Sequence, residues 1–332
     1  DELDWTAVNG PYIVLGHTFV ASGQTLTIHP GTEVRFLGGQ AGPQDRWIRG
    51  SLRVYGKLDA QGESGNKILF TSHKSTPVQG DWEAIIFYAE ADDTSIISHS
   101  RIEYAFNGIW CLGGSPTISY NEIIGIPGDY YHDMFNGIRI ESGSTALVSN
   151  NIIEGFHNTY YTYNYFGRAV HIYNASPTIT GNQLNDNSLG IYIDTYNPAV
   201  KPVELLITGN SIIDCLYRSV YIIGDYNDTK NPKVTITGNT ISSDYISASS
   251  FYTTAFGSAN TDIINAAGNW WGTADPEEIG LIIRDWNDSI DAPVVDYRNW
   301  LESAGGSPVT GTQIHTGQLT GDDLNWTAAN SP

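Results

Sequence analysis

Basic side chains, cysteine and methionine are all scarce in this chain of 332 residues, and each scarcity argues against a class of protein. Sixteen Lys and Arg stand against thirty-six Asp and Glu, a formal charge of −20. A surface of that sign is repelled by phosphate backbones and anionic bilayers, which argues against nucleic-acid binding. It suits a soluble extracellular protein, a calcium-rich or saline medium, or cationic partners, with plain solubility as the simplest account. No apolar run approaches the 18 or so residues of a membrane span, so this segment is not expected to insert into a bilayer. The opening Asp1-Glu-Leu-Asp4 lacks a signal-peptide pattern, so a mature or excised segment is expected. Four sequons, at Asn174, Asn227, Asn287 and Asn325, are about what chance gives in an Asn-rich chain.

Glycine, by contrast, is plentiful at 35 residues, and one short phrase recurs between residues 115 and 269. An apolar residue and two small or polar ones precede an Asn: Ile118-Ser-Tyr-Asn121, Leu147-Val-Ser-Asn150, Ile179-Thr-Gly-Asn182, Ile207-Thr-Gly-Asn210, Ile236-Thr-Gly-Asn239 and Ala266-Ala-Gly-Asn269. The Asn-to-Asn steps are 29, 32, 28, 29 and 30 residues. Two positions after the first five Asn the chain is again apolar, at Ile123, Ile152, Leu184, Ile212 and Ile241. A second apolar pair precedes its Asn by 12 residues at Ile109/Cys111, Ile138/Ile140 and Val170/Ile172, and by 19 at Ile191/Ile193 and Val220/Ile222. Apolar residues at alternate positions read as strands with one buried face. A period near 30 with three strands per turn is the signature of stacked coils. The expected fold is all-β: one right-handed parallel β-helix. Each Asn is expected at a turn, in left-handed backbone, bonding to the neighbouring coil. On that fold Cys111 and Cys215 lie three coils apart. Three steps of about 4.8 Å give roughly 14 Å, too far for a disulfide, so two buried free thiols are expected.

The N-terminal stretch has a sharper pattern: Gly23-Gln-Thr-Leu-Thr-Ile28, Pro30-Gly-Thr-Glu-Val-Arg-Phe36, Ser51-Leu-Arg-Val-Tyr-Gly-Lys-Leu-Asp-Ala60, Lys67-Ile-Leu-Phe-Thr-Ser72 and Gly80-Asp-Trp82. Leu26/Ile28, Val34/Phe36, Leu52/Val54 and Ile68/Phe70 alternate with period two, as the first coils of the same helix would. The progression resembles the opening of secreted right-handed β-helix proteins of the broad pectate-lyase-like superfamily. The resemblance implies the fold; it leaves function open, because that superfamily hosts lyases, hydrolases, adhesins and structural repeats. The stretch from Gly268-Asn-Trp-Trp to Trp300 resembles a closing segment of such helices. There Asp275-Pro-Glu-Glu predicts a short capped helix, and Trp270, Trp271 and Trp300 are expected to cover the last coil.

The catalytic sets that the resemblance would imply are missing as sets. The combined Asn-Thr-Asp, Asp-Asp and Gly-His-Gly of polygalacturonase-like hydrolases does not appear. Neither does the Asp-His with a following Arg-x-Pro-x-x-Arg of pectate lyases. The chain carries insertions instead, at 125–135, 155–166, 194–202, 224–232 and 242–262, and loops at equivalent points of a solenoid should be neighbours. The first two insertions and the strand after them bring together His132, Asp133, His157, Tyr160, Tyr161, Tyr163, Tyr165, Arg168 and His171. Three readings stay open for this set. Tyrosines can pack the loops, flat rings can stack on sugars, or a base and a cation can serve a lyase acting on uronates. His171, between inward Val170 and Ile172, is expected to point outward. Asp225, Asp228, Asp285 and Asp288 place oxygen atoms at spacings that suit calcium, the one cofactor considered, or simple Asx turns.

Finally, Asp322-Asp-Leu-Asn-Trp-Thr-Ala-Ala-Asn-Ser-Pro332 matches Asp1-Glu-Leu-Asp-Trp-Thr-Ala-Val-Asn-Gly-Pro11 at seven of eleven positions. The expected organisation is a β-helix over 1–302 with its cap at about 269–302. A Gly/Ser/Thr-rich linker follows over 303–321 and the start of a next unit over 322–332. The favoured role is a non-enzymatic structural or adhesive repeat of a large extracellular or surface-layer protein. Its partners would be neighbouring copies, joined head to tail into arrays or filaments, and cell-surface glycans. The alternatives are a polysaccharide lyase, a glycoside hydrolase or a carbohydrate-binding module.

Overall fold

In the computed structural model the described residues are 3–40, 47–127, 134–157, 167–194, 204–223, 233–242, 251–254, 263–285 and 292–309. Three parallel sheets run the length of the molecule. Sheet A has 11 strands, from Asp4–Trp5 to Val294–Asp296; sheet B has 9, from Tyr12–Leu15 to Thr240–Ile241; sheet C has 10, from His17–Val20 to Ile283–Arg284. The chain visits A, B and C in turn, and each strand pairs with its counterpart one coil away. This is a right-handed parallel β-helix, the hand that strand-to-strand crossovers adopt almost without exception.

The apolar pairs of the sequence line the interior in register. Ile85/Phe87, Ile109/Cys111, Ile138/Ile140, Val170/Ile172, Ile191/Ile193 and Val220/Ile222 stack down sheet C, each nearly or fully inaccessible to solvent. A row of small residues accompanies them. At Gly190 an added Cβ would lie 2.5 Å from Ile212 Cγ2 and 2.5 Å from the Ser219 carbonyl oxygen, so packing across the coil, not turn geometry, requires glycine there. Cys111 and Cys215 are free and buried, and burial pushes both thiols up, Cys215 to about 12.

The polar counterpart of this core is a column of asparagines at the A-to-B corner, which corrects the sequence reading in two respects. Its members are Asn121, Asn151, Asn182, Asn210, Asn239 and Asn269, so Asn151 takes the place that the phrase gave to Asn150. The left-handed residue is the one before each member: Tyr120, Asn150, Gly181, Gly209, Gly238 and Gly268, with φ between 55° and 70°. Asn150 is exposed and fills the turn position that glycine fills in the next coil, because Asn tolerates that backbone better than most residues. The buried apolar residue two places on is accordingly Ile153. Within the column Asn182 is typical. Its Oδ1 accepts from Asn151 N and Asn151 Nδ2, both at 2.9 Å. Its Nδ2 donates back to the Val148 carbonyl at 3.0 Å and forward to Asn210 Oδ1 at 2.9 Å. Both lone pairs and both N–H groups of a fully buried amide are thereby used.

At the far end the helix Pro276–Ile282 starts as expected, with Asp275 Oδ1 accepting from Glu277 N at 2.9 Å and Pro at the first turn. Trp271 and Trp300 are buried in the core, and Trp270 pairs in a bridge with Thr240. Residues 303–309 fold back on this end. Val309 N donates to the Trp300 carbonyl at 2.8 Å, and Leu301 and Pro308 form an antiparallel bridge.

Two variants separate the neighbouring asparagines. Asn151→Ala leaves Asn121 N and Nδ2 without their acceptor and should cost about 2–4 kcal/mol. Asn150→Gly should stay within about 0.5 kcal/mol of the parent or gain stability. Chemical-denaturation midpoints check both. Thiol labelling of the native protein should be undetectable until denaturant unfolds it, because both cysteines are buried and protonated.

Candidate functional site

Between the two inward residues of each sheet-C strand lies one outward residue, and stacking brings these into a row. In order they are Ile86, Trp110, Arg139, His171, Tyr192 and Tyr221. A second row beside it runs Tyr88, Leu112, Glu141, Tyr173, Asp194 and Ile223. In a chain of charge −20 this face gathers Arg49, Arg53, Arg139, Arg168 and Arg218.

The rings and guanidinium groups interleave. Arg139 lies 4.7 Å from the Trp110 ring centroid, Arg168 4.1 Å from that of Tyr192, and Arg218 4.4 Å from those of both Tyr217 and Tyr221. Tyr192 also meets His171 at 5.1 Å and Tyr221 edge-on at 5.4 Å. Nearer the N-terminus Tyr55 and Tyr88 stack at 4.3 Å. Planar guanidinium on aromatic faces is favourable and strengthens as water is excluded. Arg139 Nε donates to Glu141 Oε2 at 2.9 Å. Burial raises the Glu83 carboxyl, while Arg49, Arg139 and Arg53 pull it the other way. Burial and then Asp194 push the Tyr192 hydroxyl up to about 12.

His171 is the chemical centre of this face. It does project outward from the sheet, as expected, but it is only 8% exposed. Burial, then the charges of Arg168 and Arg139, hold its imidazole well below the ordinary value of 6.5, so it is neutral at neutral pH. Arg168 Nη1 lies 3.3 Å from His171 Nδ1. Arginine has only donors, so Nδ1 must accept and the ring proton resides on Nε2. Arg168 Nη2 reaches Met134 Sδ at 3.1 Å. Among the described residues three buried N–H groups of this face then have no partner: His171 Nε2, Arg168 Nε and Trp110 Nε1. All three are donors, and a set of unmet donors on one face is chemically complementary to oxygen acceptors such as carboxylate or sugar hydroxyl.

The other predicted site residues divide by position. His132 and Asp133, and Tyr160, Tyr161, Tyr163 and Tyr165, lie outside the described residues. The roots of their two insertions do stack, since Gly125 N donates to the Glu154 carbonyl at 2.8 Å and Phe135 is in register with Gly167. Both insertions leave at the B-to-C corner. His157 is largely buried, with Nε2 3.5 Å from Asp186 Oδ2. Of the calcium candidates Asp225, Asp228 and Asp288 lie outside the described residues. Asp285 is buried, and its Oδ2 accepts from Val295 N at 3.2 Å. Among the described residues no three His, Cys, Asp or Glu gather as a metal site. The sequon Asn174 is itself buried in a turn.

Trp110, Arg139, Tyr192, Tyr221 and Arg218 escaped the sequence reading, which looked to the loops. Their signal was present, because each of the first four sits between the two members of an apolar pair.

Comparison with known proteins agrees with this architecture. The family described as "Right handed beta helix region" matches residues 83–266, and that described as "Pectate-lyase like beta helix domain" matches residues 2–105. No curated protein and no solved structure matches the chain. The chain belongs to the right-handed β-helix family.

The depressed His171 gives a pH prediction. Below about pH 6.5 the unfolded chain binds a proton at this position that the folded chain does not. Stability therefore falls as pH drops below that value, by at most about 1.4 kcal/mol per pH unit. His171→Gln should flatten this part of the profile, read as denaturation midpoints between pH 7.5 and about 5.

Proposed function

We propose that this right-handed β-helix is a non-enzymatic structural and adhesive unit of an extracellular or cell-surface protein, with the outer face of sheet C as its glycan-contacting surface. The observation that carries the reading is the interleaving of guanidinium groups and rings along this face, with the partly exposed Arg139 on Trp110 and Arg218 on Tyr217 and Tyr221 around the buried Arg168–His171–Tyr192 cluster. Such a face holds an anionic or hydroxyl-rich chain by stacking and hydrogen bonding, with stiffness supplied by the coils beneath. In an acidic molecule, clustered arginines also give this strip a local sign opposite to the rest, which favours acidic polysaccharides. The units would join head to tail, as the recurrence of the opening motif at 322–332 implies. Calcium at the Asp-rich turns remains part of the proposal only as a stabiliser of loops.

One observation favours a second reading, a polysaccharide lyase. A neutral imidazole beside a guanidinium could abstract a proton α to a uronate carboxylate while the cation balances its charge. The burial of His171 weighs against access by a polymer.

Binding and turnover separate the two. Polyuronates should be retained on the immobilised protein, neutral polysaccharides much less, and no unsaturated or reducing ends should accumulate. Tyr192→Ala together with Arg139→Ala should weaken retention about 10-fold or more, on the scale of two contacts worth about 1 kcal/mol each. Release of unsaturated ends that disappears in His171→Ala would overturn the non-enzymatic reading.

A further inference from the structure

The opening motif has a defined place in the fold, and the chain carries that motif twice. Asp4–Trp5 forms the first strand of sheet A, pairing with Thr25–Ile28 in the register Asp4 with Thr27 and Trp5 with Ile28. Thr27 N and His29 N donate to the carbonyls of Leu3 and Trp5, both at 2.9 Å. The Trp5 ring stacks on Tyr12 at 4.8 Å with planes 12° apart. Thr6 N donates to Tyr12 Oη at 3.0 Å, and Thr32 Oγ1 to the Trp5 carbonyl at 3.3 Å. Leu3 packs against the core, and Asp4 Oδ1 meets His29 Nε2 at 2.6 Å. The slot along Thr25–Ile28 therefore reads Leu, Trp and Thr at fixed spacing, with a polar residue between the first two. Residues 322–332 supply the same set as Leu324, Asn325, Trp326 and Thr327.

We propose that residues 322–332 of one copy bind the Thr25–Ile28 edge of a second copy, taking the place of that copy's residues 1–11 and joining the two head to tail. The proposal rests on the head-to-tail reading above and names the contact that makes it. Exchange of one strand for a near-identical one costs little, since each bond broken within the acceptor is re-formed with the donor. The pairs through main-chain atoms, the Trp–Tyr stack and the threonine contacts are all kept. The Asp4–His29 contact becomes an Asn325–His29 hydrogen bond.

Docking in trans is favoured by length. The Thr25–Ile28 edge lies nine inter-strand steps along sheet A from Val294–Asp296, about 43 Å. From residue 309 to Asn325, which takes the place of Asp4, the chain reaches at most about 55 Å when pulled straight. Docking on its own edge would hold the intervening residues near full extension along the rod, whereas a second copy places its edge wherever the segment lies.

A disulfide trap tests this on the full chain. Asp4→Cys with Thr27→Cys is the control for register, since partners in adjacent strands fall within the Cα range of a disulfide, and it should give cross-linked monomer. Asn325→Cys with Thr27→Cys should give, on mild oxidation, a series of covalent dimers and larger multimers. The native thiols stay silent because they are buried and protonated. Adding Trp326→Ala, or an excess of synthetic peptide 322–332, should reduce the multimers at least 5-fold. Monomer alone, an intrachain cross-link, or multimers indifferent to Trp326→Ala would each overturn the proposal. Multimers that form by another contact, seen by light scattering and untouched by Trp326→Ala, would sink strand exchange and leave the head-to-tail reading standing. The polysaccharide experiment is unaffected by either result.

Discussion

Everything in this molecule depends on a column of buried amides that leaves nothing unsatisfied. A coil that turns a tight corner must bury main-chain N–H and carbonyl groups with no strand partner, and each one left unmet costs on the order of 1–3 kcal/mol. The asparagines from Asn121 to Asn269 meet that demand once per coil. Each accepts from the coil before and donates backward, and all but the last, Asn269, also donate forward, so the column is continuous over six coils. A side chain with two acceptor sites and two donors at that length can do this; where Ser100 takes the same corner one coil earlier, its N donates to Asn121 Oδ1 and the amide column begins.

The column also decides where variation is allowed. The A-to-B corner keeps its turn short wherever the asparagines run, and all its residues there are among those described. The added segments 128–133, 158–166 and 243–250 leave at the B-to-C corner, and 195–203, 224–232 and 255–262 at the C-to-A corner. Both of those corners border sheet C, whose outer face carries the arginines and rings. The geometry that rules out change at one edge thus confines added length to the other two.

Much of this is legible in the sequence, and the misses have physical causes. Apolar alternation gives the strands and their faces, since a one-residue slip would turn a whole row to solvent. The recurring phrase places the column one residue early in a single coil, where Asn150-Asn151 offers two candidates. The phrase alone does not say which of them carries the left-handed backbone that glycine carries in the following coils. His171 falls on the correct side of its sheet, yet it is buried, packed against Arg168 of its own strand and Tyr192 of the next coil, and the second contact is a relation between coils that a linear pattern does not display. The row Trp110, Arg139, His171, Tyr192 and Tyr221 becomes visible only when the coil register is laid out. Polar residues between apolar ones otherwise look like ordinary solvent-facing positions.

The Asn column has a mechanical side as well. Tension applied along the axis pulls directly on the hydrogen bonds between coils, and the amide column puts a second, parallel set of such bonds at one corner. Under such a load the corner that has the column would part last, because it holds more bonds between coils than the two without one. Each released coil of 28 to 31 residues adds about 100 Å of contour. The same bonds that fix the fold therefore set the order in which coils would separate along the axis.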